Sequence, residues 1–123
     1  MTLDVFLESD VFDRELVETA LARTGIAADS VAATADGGEA SVSIDDDGCV
    51  FVVRSLTPEL ARVLFEVART ARLAILPADG TPIALVVGEA APPAELEPVD
   101  VASADALYES LRRSEELRGA RSA

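Results

Sequence analysis

Two runs of aliphatic residues, Cys49-Val50-Phe51-Val52-Val53 and Ile83-Ala84-Leu85-Val86-Val87, constrain this chain more than any other feature. Both are short apolar segments flanked by glycine or proline, which reads as strand rather than helix. Successive side chains of a strand point to opposite faces, so neither run has a polar side to offer to water. Full burial of one such side chain is worth about 1.5–3 kcal/mol. Both faces of these strands are therefore expected to be covered. The preferred cover is a second copy of the chain, closed by two-fold symmetry, or another protein partner. The competing cover is the chain's own last helix folded back over the sheet.

The segments around these runs supply the rest of an architecture. Leu3, Val5 and Leu7 alternate with Asp4 and Phe6, the pattern of a half-buried strand. A helix follows, with Asp10 as the expected N-cap, an apolar stripe of Phe12, Leu16, Val17, Ala20 and Leu21, and Gly25 past its end. Ser30 to Ala35 reads as a short extra strand. Asp36-Gly37-Gly38 then turns the chain into the alternating Ala40, Val42 and Ile44, and Asp45-Asp46-Asp47-Gly48 turns it again. Thr57-Pro58 opens the clearest helix, with threonine as N-cap and proline at the first helical position. Its apolar face runs through Leu60, Ala61, Leu64, Val67, Ala68 and Ala71. Leu73–Leu76 and Ile83–Val87 flank a loop dense in turn residues, a third hairpin. A last helix is capped by Ser103, and its apolar stripe (Ala104, Leu107, Tyr108, Leu111) fades beyond Arg113.

The element order β-α-β-β-α-β-β, with a possible extra short strand and a C-terminal helix, predicts an α+β protein of the ferredoxin-like two-layer sandwich class. The expected organisation is a single α+β domain over 1–88, an acidic proline-rich connector over 89–102, and a C-terminal helix with a frayed tail over 103–123.

Composition excludes more chemistry than any motif adds. The chain of 123 residues has ten basic residues, all arginine, against 23 acidic ones, and it contains no histidine. No histidine base, no imidazole metal ligand, no lysine Schiff base and no phosphate-loop lysine is possible. Cys49 has no histidine to take its proton, and neighbouring aspartates favour its neutral thiol. Asp45-Asp46-Asp47-Gly48 fails as a calcium loop, because Arg54 falls where a bidentate glutamate is required. The chain is therefore expected to be non-enzymatic, with no cofactor and no metal. A net charge of −13 opposes nucleic-acid binding. No apolar run approaches the roughly 20 residues of a membrane helix, the N-terminus lacks a basic, apolar leader pattern, and one cysteine permits no internal disulfide. The expected location is the cytoplasm, without membrane association.

Charge is unevenly spread. Residues 1–50 carry 12 acids and two arginines, whereas 51–88 carry three acids and four arginines. A negative field concentrated in this way steers a basic protein towards the first half. The expectation is thus an acidic protein-interaction module, an inhibitor or immunity- or antitoxin-like partner of a basic protein, that itself forms a homodimer. The partner-binding candidates are Asp45, Asp46, Asp47, Glu15, Glu18 and Tyr108. The alternative is a dimeric ferredoxin-like regulatory domain that binds a small anionic ligand through Arg54, Arg62, Arg69 and Arg72.

Overall fold

Strand β1 (Leu3–Glu8) is the axis of the fold, because its strict alternation gives it one fully apolar side. Leu3, Val5 and Leu7 are buried, and Phe6 lies on the opposite face. The computed structural model describes residues 3–9, 13–26, 30–45, 48–78, 83–88 and 96–122. They form a mixed α+β protein with one seven-stranded sheet and three helices. The strands are β1, β2 (Val31–Ala33), β3 (Glu39–Ile44), β4 (Gly48–Ser55), β5 (Ala74–Pro77), β6 (Ile83–Val86) and β7 (Glu97–Asp100), in spatial order β2-β3-β4-β1-β5-β6-β7. All neighbours pair antiparallel except β6 and β7, which are parallel.

Helix α1 (Arg14–Arg23) starts one turn later than the sequence suggests. Its N-cap is Asp13, whose carboxylate accepts the Leu16 N–H at 3.3 Å; Asp10 and Phe12 lie outside the described residues. Asp13 wins because its side chain reaches the amide three residues on, which is what an N-cap requires. Helix α2 (Pro58–Ala71) begins as expected, with Thr57 Oγ1 accepting the Leu60 N–H at 3.3 Å. Helix α3 (Ala104–Ser122) is capped by Ser103, whose Oγ accepts the Ala106 N–H. Its helical backbone runs on past Arg113, where the apolar stripe fades, because Leu107 and Leu111 anchor its first half in the core and propagation beyond a formed turn costs little.

The three helices make one layer. α2 lies between α1 and α3, touching both. Val17, Ala20 and Leu21 of α1, Leu60, Leu64, Val67 and Ala68 of α2, and Leu107 and Leu111 of α3 join one core with the inward side chains of the strands. That placement removes the competing cover: the C-terminal helix packs beside α2 and does not lie over the second face of the sheet. The stretch taken as connector is corrected. Its residues Glu97–Asp100 are a strand of the sheet, and Val101 continues the attachment, its N–H reaching the Val86 carbonyl at 2.9 Å.

Candidate functional site

The two aliphatic runs are shielded to different extents. Ile83 and Leu85 pack with the core under the helices, and Ala84 and Val86, on the other face, are buried as well. The run in β4 alternates in practice. Cys49, Phe51 and Val53 are buried, whereas Val50 and Val52 are half-buried on the face without helices. The register then decides their neighbours. Val50 stands opposite Ser43 on one side and Phe6 on the other, and Phe6 stands opposite Leu76. The adjacent row is Val31, Ser41, Val52 and Asp4. Directly opposed side chains on one face lie about 5 Å apart, so Phe6, Val50, Val52 and Leu76 form one continuous apolar patch. Phe6 is 39% exposed. Asp4 and Glu8 share that face with Phe6 on β1, and the exposed Arg54 follows Val52 two residues along β4.

A second feature lies at the opposite side of the sheet. β2 is an edge strand, and a groove of about 700 Å³ runs along it, walled by Arg23 to Ile26 at the end of α1 and by Glu59, Arg62, Val63 and Glu66 of α2. Above it, the β2–β3 turn is locked onto α2. The Asp36 carboxylate accepts the hydroxyls of Thr34 at 2.6 Å and Thr57 at 2.7 Å and the Glu59 N–H at 3.1 Å. The Thr34 hydroxyl, then that of Thr57 and the backbone N–H groups of Glu59 and Gly38, hold its pKa at about 2, against the opposing effect of desolvation. Gly38 is required there for space: a Cβ at that position would lie 2.4 Å from both threonine hydroxyl oxygens.

The candidate residues are only partly brought together. Asp45 is exposed in the β3–β4 turn, its N–H bonded to the Gly48 carbonyl, and Gly48 stands opposite Glu8 at the end of β1 that leads towards α1. Glu15 and Glu18 are exposed on α1, where Glu18 is paired with Arg14 at 3.1 Å. Asp46 and Asp47 lie outside the described residues. Tyr108 is half-buried on α3, and α2 lies between it and α1, so it does not join the acids. The four arginines are not gathered either. Arg62 pairs with Glu59 and Arg69 with Glu66 on α2, Arg72 ends that helix, and Arg54 lies beyond Val52 in the sheet layer. Among the described residues no three metal-ligating side chains come together, and no helix is long and apolar enough to cross a membrane.

The apolar second side of β4 follows from its sequence, but the place of Phe6 and Leu76 beside Val50 escaped that reading, although Phe6 carried a signal. Phe6 is an aromatic residue on the nominally polar side of an alternating strand, which a merely solvated face does not need. Comparison with protein-family models, with curated proteins and with solved structures returns no match.

Proposed function

We propose that this protein is a non-enzymatic, acidic protein-interaction module that docks a basic partner on the open face of its sheet. The fold behind it is read as a ferredoxin-like sandwich enlarged at both edges. Support for that reading is the order β5-β1-β4-β3, in which α2 links β4 to β5 around the antiparallel β1, a split β-α-β arrangement.

The observation that carries the function is the row Val50, Phe6 and Leu76, apolar on the face that the helices leave open, with Asp4 and Glu8 beside it on β1. An apolar centre with acidic neighbours on a chain of net charge −13 suits a partner with an apolar ridge flanked by arginine or lysine. The apolar contact supplies residence time, and the charge supplies encounter rate. Affinity capture with the wild type and with Phe6→Arg tests the reading. The wild type is expected to retain a basic protein that elutes with salt, and Phe6→Arg to lose it at unchanged thermal stability. Equal retention by both, or a retained partner insensitive to salt, overturns it.

A further inference from the structure

We infer that β2 is an association edge at which two copies of this chain pair strand to strand, independently of the open face. The two ends of the sheet are built differently. β7 reads Glu97-Pro98-Val99-Asp100, and a proline with two carboxylates on an edge blocks the addition of another strand. β2 reads Val31-Ala32-Ala33, without charge or proline.

The hydrogen-bond phase of β2 shows where its free backbone groups point. The Ser30 carbonyl accepts the Val42 N–H at 2.8 Å, and the Thr34 N–H donates to the Gly38 carbonyl at 2.9 Å. Residues 30 and 34 therefore face β3, and so does Ala32, midway between them and opposite Ala40. The N–H and C=O groups of Val31 and Ala33 point the other way, towards the edge along which no described residues form a strand.

That outward pattern is self-complementary. A two-fold axis at Ala32 sets Val31 of one copy opposite Ala33 of the other, so each such pair exchanges two hydrogen bonds, four in all. Only alanine and valine side chains oppose one another across this seam, so no carboxylate faces a carboxylate. The groove along β2 is lined by Arg23 and Arg62 against Glu59 and Glu66, with no net charge among these described residues. In a chain at −13, this is a place where two copies meet without concentrating like charge, which favours a second copy over a basic partner here. The axis stands perpendicular to the sheet, so both open faces remain on one side and free.

Sedimentation equilibrium or light scattering over a range of concentrations tests the inference. The wild type is expected to approach twice the chain mass of 12.8 kDa as concentration rises. Ala33→Pro removes an outward N–H while leaving the bonds to β3 intact, and is expected to stay at the single-chain mass with an unchanged circular dichroism spectrum. If the proline variant does not fold, Val31→Glu, which brings an acid to the seam without altering the backbone, is expected to give the same loss. Phe6→Arg is expected to retain the doubled mass, which separates this edge from the open face. A wild type that stays at the single-chain mass, a folded Ala33→Pro or Val31→Glu that still doubles, or loss of the doubled mass in Phe6→Arg overturns the inference.

Discussion

The Thr57 hydroxyl donates to the Asp36 carboxylate at 2.7 Å, and this bond ties the β2–β3 turn to the first turn of α2 across 21 positions of sequence. The same threonine oxygen accepts the Leu60 N–H, so one hydroxyl caps the helix and anchors the turn. Because α2 is the central helix, the tie holds the β2 edge in register with the core.

Asp36 makes that tie pH-dependent. Its pKa falls from an ordinary 3.8 to about 2, chiefly through the Thr34 hydroxyl. A carboxylate held below its unfolded pKa stabilises fully above 3.8, and the contribution disappears as pH falls towards 2. Asp36→Asn is expected to unfold at lower denaturant than the wild type at neutral pH, with the gap closing between those two values. A gap that does not change over this range would mean that Asp36 contributes nothing through its charge.

Gly38→Ala tests the closeness of the turn to the helix. The added methyl would overlap Thr34 Oγ1 and Thr57 Oγ1 and approach Leu60 Cβ at 2.9 Å. Overpacking of this kind costs about 1–3 kcal/mol, and chemical denaturation is expected to show a loss in that range. At Gly38 the demand is for space: unlike Gly25, Gly37 and Gly88, it is not among the positive-φ glycines.

Two phenylalanines on neighbouring strands separate stability from association. Phe51 is fully buried under the helices, and its truncation to alanine is expected to cost about 3–5 kcal/mol. Phe6, on the other face and 39% exposed, is expected to lose less than about 1 kcal/mol on the same change. Equal losses would place Phe6 in a packed interior and remove the open-face patch.

Arg72 ends α2 in the left-handed region, with φ 56° and ψ 49°. A side chain there costs about 1–2 kcal/mol, part of which glycine returns as unfolded-chain entropy. Arg72→Gly is therefore expected to raise stability by about 0.5–1 kcal/mol, read as an increased denaturation midpoint. A lowered midpoint would show that the Arg72 side chain contributes more than the strain it imposes.

Much of the local structure was legible along the chain. Thr57-Pro58, Ser103, the alternation of Leu3 to Leu7 and that of Ala40 to Ile44 act through neighbours a few residues away, and they stand where the pattern puts them. Asp10 was a near miss of the same local kind, with Asp13 three residues on taking its place.

The sequence by itself determined the three helices, every strand but β7, and which side of each is apolar, because capping and periodicity are short-range properties. Only the tertiary structure decided that Phe6 meets Val50 and Leu76, that Asp36 reaches Thr57, that Glu97–Asp100 closes one edge, and that α3 joins the helical layer instead of covering the sheet. Each of these depends on strand order and register between distant segments, where a shift of one residue would send every side chain to the other face.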